Sequence, residues 1–245
     1  MSKTVLITGG ASGMGLLCGK CYAKEGANVV LVDRNKEALD ACVKEIAAYP
    51  ANVIGVDIDV RDYKKVCEAR DRAVSAFGSI DILINCAGGA ECRICGVSGE
   101  FFNIPIECYD FSIDVNLKGA LYFDHAVMAQ MAKQKSGVII HLGSIAGEEG
   151  TPNDIGYSAS KSALMNGMTK SVALAGAPYG IRCVCVAPGP VLTRPGMAGM
   201  RTLAGRAAEP REIVDLIMYV AGENGAFING VFILADGGRN IMRNK

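Results

Sequence analysis

Tyr157 and Lys161 stand four residues apart in Gly156-Tyr157-Ser158-Ala159-Ser160-Lys161. In a helix that spacing brings both side chains to one face. An ammonium beside a phenol favours the phenolate. At about 4 Å and an effective dielectric of about 20 the attraction is ~4 kcal/mol. A tyrosine so placed can give and take a proton near neutral pH. Taken alone the pair is a common coincidence of sequence, and the rest of the chain decides its meaning.

A second stretch able to do chemistry is Thr8-Gly9-Gly10-Ala11-Ser12-Gly13-Met14-Gly15. Its glycines permit a tight turn and close approach of the backbone to a pyrophosphate. The helix that follows offers free N–H groups and a positive dipole end. The spacing is T-G-x-x-x-G-x-G rather than G-x-G-x-x-G, which is a different dinucleotide signature. A strand–helix turn with no ligand is the plainer alternative. Asp33 lies 18 positions after Gly15, at the end of an apolar run. A carboxylate there accepts bonds from an adenosine ribose and repels a 2′-phosphate. This favours NAD over NADP, although Arg34 beside it could hold a phosphate.

These residues need a scaffold. The chain has 245 residues, half of them apolar, and a formal net charge of zero. That suits one large α/β domain over 1–245. No basic stripe points to nucleic acid. No apolar run reaches the roughly 18 residues that span a membrane, and no signal peptide is evident. The 10 cysteines then point to reduced thiols in a cytoplasmic protein. Near-continuous β-branched runs at 5–8, 29–33, 53–57, 80–85, 138–142, 181–186 and 231–235 predict strands buried on both faces. Helical stripes alternate with them. One is Met14, Leu17, Cys18, Cys21 and Tyr22; another is Tyr157, Leu164, Met168, Val172 and Ala175. Such alternation predicts a doubly wound parallel sheet, with ligands outside the carboxyl ends of the strands.

With these residues in place, the chain resembles the short-chain dehydrogenase/reductase family over nearly its whole length. The matching elements are the glycine-rich stretch from Thr8 through Gly15, Asp57-Ile58-Asp59-Val60, Asn85-Cys86-Ala87-Gly88, Asn116, Ser144, Tyr157 with Lys161, Pro188-Gly189, and Gly230 through Asp236-Gly237-Gly238. The resemblance implies a seven-stranded sheet of order 3-2-1-4-5-6-7 and assembly as homodimers or homotetramers. It assigns adenine to Asp57 and Ile58, and support of the cofactor side to Asn85, Ala87 and Gly88. Ser144 would bond the substrate oxygen and Tyr157 would carry the alcohol proton. Lys161 would tune the tyrosine and hold the nicotinamide ribose, and Asn116 would fix a water beside Lys161. Pro188, Gly189 and Val191 would bracket the nicotinamide, with Thr193 near the carboxamide or pyrophosphate. Gly9, Ala11, Ser12, Gly13, Met14 and Gly15 form the phosphate loop. The implied reaction is hydride transfer between NAD(H) and a secondary alcohol or ketone of polyol, sugar or hydroxysteroid type.

Two stretches depart from the family's usual lengths. The 31 positions from Asn85 to Asn116 are several too many, while the span from Pro188 to Pro210 leaves little room for a substrate lid. Residues 89–106 are therefore expected to replace part of that cover. Glu148 and Glu149 could meet a polyol, or be solvated. Met197 and Met200 could touch an apolar substrate, or pack in a core or interface. A reductase of carrier-protein thioesters is the alternative activity; Lys133 and Lys135 could meet the acidic carrier, yet Ala177-Pro178-Tyr179 offers no second cation. A dinucleotide-binding scaffold or sensor is a further one, although such proteins tend to lose the tyrosine or lysine. Cys92-x-x-Cys95 and Cys18-x-x-Cys21 lack the partners of a closed zinc site, and no metal is expected.

Overall fold

The computed structural model describes residues 2–243; Met1, Asn244 and Lys245 of the 1–245 span lie outside the described residues. Its centre is a seven-stranded parallel sheet in the order β3-β2-β1-β4-β5-β6-β7. The strands are β1 (Thr4–Thr8), β2 (Asn28–Asp33), β3 (Val53–Asp57), β4 (Ile82–Asn85), β5 (Gly137–Leu142), β6 (Ile181–Pro188) and β7 (Phe232–Ala235). The fold class and strand order agree with the sequence-based expectation. The fourth strand begins two residues later than the apolar run. Asp81 is the reason: its carboxylate accepts from Thr4 N (2.7 Å) and Ser79 Oγ (3.0 Å), which turns residues 79–81 into the strand's entry.

Strand side chains alternate between two cores, as a period of two demands. Val5 and Ile7 of β1, with Val29 and Leu31 of β2, pack under α1 (Gly13–Lys24) and α2 (Lys36–Ile46). Leu6, Val30 and Val32 face the other way, against α3 (Tyr63–Phe77). Side-chain caps start two of these helices. Asn35 accepts from Ala38 N, and Asp62 from Lys65 N, both at 3.1 Å. The inserted stretch forms a short α4 (Glu91–Cys95) before α5 (Ile106–Ile113).

Two helical runs contain a π turn. Asp114–Lys118 joins α5 to α6 (Gly119–Gln134). After a short α7 (Ala146–Glu149), α8 (Ile155–Ala163) passes through Leu164–Met168 into α9 (Thr169–Gly176). The second π turn corrects the predicted stripe. Its wider turn shifts the phase of the helix, so Ala173 and Gly176 are buried and Ala175 is exposed. The last helix, α10 (Pro210–Ala221), starts with a capping box between Glu209 and Glu212. No described helix is long and apolar enough to cross a membrane.

Phe123 of α6 is the largest of the fully buried side chains, beneath the face that carries β4 and β5. Phe123→Ala is expected to cost about 3–5 kcal/mol, seen as a lower urea midpoint of unfolding. An unchanged midpoint would contradict the packing described.

Candidate active site

At the carboxyl ends of β1, β2, β4 and β5 lies a cleft of about 540 Å³. One wall is the glycine loop, where Gly9, Ser12, Gly13, Met14 and Gly15 line the cavity. A methyl group on Gly15 would overlap the carbonyl oxygen of Gly9, so only glycine lets α1 start so close beneath the loop. Ser12 is the N-cap residue of α1, yet its side chain makes no cap hydrogen bond. The first N–H groups of α1 have no intrahelical partner by geometry. An open helix end over a bare backbone cradle fits a pyrophosphate.

Asp33 turns its carboxylate back to the loop. Oδ2 accepts from Ala11 N at 3.1 Å and Oδ1 from Asn35 N at 3.0 Å. Ala11 itself is buried and does not line the cleft. Arg34 lines the cleft 5.5 Å from the ring centre of Phe111, and Arg61 lies 4.7 Å over the same ring. Of the Asp57–Val60 segment, Ile58, Asp59 and Val60 reach the cavity and Asp57 does not; it is exposed at the end of β3. The Arg61 guanidinium, bonded to Asp59 at 2.7 Å, holds that carboxyl below the usual carboxylate range.

Across the cleft, Thr8 Oγ1 accepts from Cys86 N (3.1 Å) and Ala87 N (3.0 Å), which seats the 86–89 turn at the top of β4. Cys86, Ala87, Gly88 and Gly89 line the cavity, whereas Asn85 points inward and donates to Asp124 Oδ1 at 2.8 Å. Asn116 lies beneath this turn, 1% exposed and in the middle of the first π turn. Its Oδ1 accepts from Gly89 N (2.9 Å), and its Nδ2 donates to Gly89 O (3.0 Å) and Ser112 O (2.9 Å). A side chain at Gly88 would collide with Asn116 Oδ1, and the same point is 3.8 Å from Lys161 Nζ. Gly88 therefore lies between Asn116 and Lys161. The Asn116 side chain is engaged with the turn and Ser112.

Tyr157 and Lys161 both line the cleft from α8. Lys161 is 4% exposed; its Nζ donates to Leu142 O at 2.6 Å and stands 5.5 Å from the centre of the Tyr157 ring. Ser144 is half-buried just beyond the cleft-lining Gly143, and its Oγ accepts from Ala146 N at 3.2 Å. Ser144 and Asn116 thus sit next to the cavity rather than in its wall.

The far wall differs from the expectation in part. Thr193 and Arg194 line the cleft. Pro188 and Gly189 are held behind it, with Pro188 O accepting from Ile145 N (2.8 Å) and Gly189 N donating to Ala235 O (3.0 Å). Val191 is buried and bridges to Ala208. Of residues 89–106, Gly89, Ala90, Arg93 and Ile94 line the cleft. Glu149 pairs with Arg239 at 3.2 Å. Cys92 and Cys95 join a small apolar cluster with Ile104, Cys108 and Tyr109, and burial pushes each thiol up to about 11. Among the described residues no group of three or more His, Cys, Asp or Glu could hold a metal.

Asp59, Phe111, Arg93 and Arg194 escaped sequence reasoning. For Asp59 a signal existed: Asp57-Ile58-Asp59-Val60 repeats an acidic–apolar pair, and the second copy is the one at the cavity. Arg93 and Phe111 lie on short helices and Arg194 in a loop, each too brief to show a period.

Known proteins are similar to this chain over most of its length. A family model described as short chain dehydrogenase matches residues 3–202. The chain is 34% identical to the 3-oxoacyl-[acyl-carrier-protein] reductase FabG of Thermotoga maritima, covering 96% of this chain and 97% of that protein. Its structure is similar to a short chain dehydrogenase from Bacillus anthracis, with TM-score 0.89, 32% identity and coverage of 99% and 98%. It is also similar to NAD+-bound xylitol dehydrogenase, with TM-score 0.87, 27% identity and coverage of 96% and 98%.

Overpacking costs about 1–3 kcal/mol, so Gly15→Ala should raise the dissociation constant of NADH about 10-fold or more. Titration of NADH fluorescence measures this. Undiminished affinity would show that the loop does not carry the pyrophosphate.

Proposed function

This chain belongs to the short-chain dehydrogenase/reductase family of Rossmann-fold oxidoreductases, and we propose on that premise that it transfers a hydride between NAD(H) and a secondary alcohol or ketone of polyol, sugar or hydroxysteroid type. The observation that carries the reading is one cleft shared by the open N-terminus of α1 and the Tyr157–Lys161 face of α8. Residues 1–245 would act as one dinucleotide-binding domain with the catalytic groups built in. Gly9 and Ser12 through Gly15 would hold the pyrophosphate, Asp33 the adenosine ribose, and Ile58, Asp59 and Val60 the adenine. Cys86 through Gly88 and Thr193 would flank the remainder.

When bound, the nicotinamide supplies the hydride chemistry. The chain's part is proton transfer and orientation. During oxidation the Tyr157 oxygen takes the alcohol proton; during reduction its hydroxyl returns one to the carbonyl oxygen. Lys161, fixed by Leu142 O, stands with its ammonium 5.5 Å from the centre of the Tyr157 ring and would hold the nicotinamide ribose. The Ser144 hydroxyl would orient the substrate oxygen. Asn116 holds the 88–89 turn against which Lys161 rests.

Preference for NAD is supported by the Asp33 carboxylate, held at the end of β2 where it would repel a 2′-phosphate. The NAD+-bound xylitol dehydrogenase supports both the cofactor and a polyol-type substrate. Identity to the Thermotoga maritima reductase keeps carrier-protein thioesters as the second reading. Exposed Ile106 and Leu121 on the α5–α6 run support a homodimer or homotetramer. Ten free cysteines support a reducing, cytoplasmic setting.

A panel of sugars, polyols, hydroxysteroids and acyl thioesters, followed by NADH absorbance, tests the reading. Binding of NAD without turnover on any member would favour a scaffold or sensor. General acid–base groups contribute about 100- to 10,000-fold, so Tyr157→Phe should lower kcat by that order while NADH still binds. Substantial residual turnover would refute the role. Removing a like charge from a phosphate site is worth several kcal/mol, so Asp33→Ala should shift the NAD-to-NADP ratio of kcat/KM at least about tenfold toward NADP. An unchanged ratio would place the discriminating group elsewhere.

A further inference from the structure

Glu91 has no solvent exposure, although it belongs to the inserted segment between Gly89 and α5. A buried carboxylate is costly unless its oxygens are satisfied. Here both are. Oε1 accepts from Gly156 N at 2.7 Å; Oε2 accepts from Tyr157 N at 2.9 Å and from Ser112 Oγ at 2.9 Å. The two amides open α8, and the N-cap residue Asp154 makes no side-chain cap of its own helix. Asp154 Oδ1 instead accepts from Cys92 N at 3.0 Å, at the start of α4. The two helices therefore cap each other, carboxylate for carboxylate. Gly156 leaves the room this needs, since a methyl there would come within 3.3 Å of Glu91 Oε1.

The contacts continue toward the reacting groups. Ser112, which donates to Glu91, also accepts from Asn116 Nδ2 at 3.3 Å, and Asn116 grips the Gly89 backbone. One carboxylate thus joins α4, the α5 turn that leads to Asn116, and the backbone of Tyr157 itself. A negative group at a helix N-terminus is also electrostatically favoured.

We propose that Glu91 is a positioning residue for hydride and proton transfer. Its buried carboxylate sets the depth and rotation of the first turn of α8, so that the Tyr157 oxygen meets the substrate while Lys161 stays on Leu142 O. The inference rests on the assignment of Tyr157 as the proton carrier. It also gives the inserted segment a task besides covering the cleft.

Glutamine keeps the shape of Glu91 but has one accepting oxygen where three donors converge; alanine has none. Misplacement by about 1 Å can cost about 100-fold in rate. Glu91→Gln is therefore expected to lower kcat about 10-fold and Glu91→Ala about 100-fold. Both should leave KM for the best alcohol of the panel and the NADH dissociation constant within about threefold, the signature of an interaction made for the transition state. Amide hydrogen exchange at residues 156–157 should quicken in both variants. If the alanine variant does not fold, the glutamine variant decides. Unchanged kcat in Glu91→Gln, a rise in KM at constant kcat, or unaltered exchange at Gly156 and Tyr157 would overturn the proposal. A wild-type protein that turns over no alcohol would instead overturn the functional reading, while exchange would still judge the capping.

Discussion

The angular setting of α8 is the constraint on which the cleft depends. Successive residues of a helix turn by about 100°, so a small rotation carries a side chain off its face. Tyr157 and Lys161 share a face by their spacing, and that face meets the cleft only while the rotation is held. Two restraints hold it from opposite sides. Lys161 Nζ is anchored to the carbonyl at the end of β5, and Glu91 grips the amides at the helix start. A buried ammonium and a buried carboxylate would each be unfavourable alone. Lys161 on α8 and Glu91, set by α4 against the start of α8, are each satisfied by backbone groups that a parallel sheet and a helix terminus leave open.

The sheet supplies the other half of the geometry. Parallel pairing brings the ends of β1, β2, β4 and β5 to one edge, so their following turns converge without long loops. Below the 86–89 turn lies a polar chain with almost no exposure. Asn85 donates to Asp124, Asp124 pairs with His141 at 2.8 Å, and His141 meets Thr169 at 2.9 Å. Thr169 Oγ1 donates to Leu164 O at 2.7 Å, within the second π turn. This chain ties β4, α6, β5 and the α8–α9 run together. Connected buried networks resist displacement, because breaking one bond strands a partner.

What the sequence disclosed follows the range of the forces involved. Strands such as Val29-Val30-Leu31-Val32 are legible because both faces are buried and the apolar run is unbroken. The glycine loop is legible because a close backbone approach excludes side chains, as Gly15 shows. Tyr157 and Lys161 are legible because one helix sets their spacing. The π turns were not, since nothing in Leu164–Met168 marks a wider turn, and Ala175 was placed on the wrong side in consequence. Nor was Glu91. Its partners Ser112 and Gly156 lie 21 and 65 positions away, and a lone glutamate after two glycines has no periodic context. Pro188, Gly189 and Val191 were legible as a motif but not as positions behind the wall.

Charge shows the same difference between composition and placement. The chain is formally neutral, which says nothing of its field at any one point. At the cleft, Arg34, Arg93, Lys161 and Arg194 face Asp33 and Asp59. Asp59 is already neutralised by Arg61, and Asp33 is bonded to two backbone amides. The concave wall is cationic as a result, and low-dielectric walls concentrate such a field. The open N-terminus of α1 adds to it. The two acidic side chains sit at one end of the cleft, beside β2 and β3. The cleft is thus attractive along its middle and selective at one end. On the function proposed above, that polarity would orient a dinucleotide before any close contact forms and would leave the Tyr157 end for the substrate.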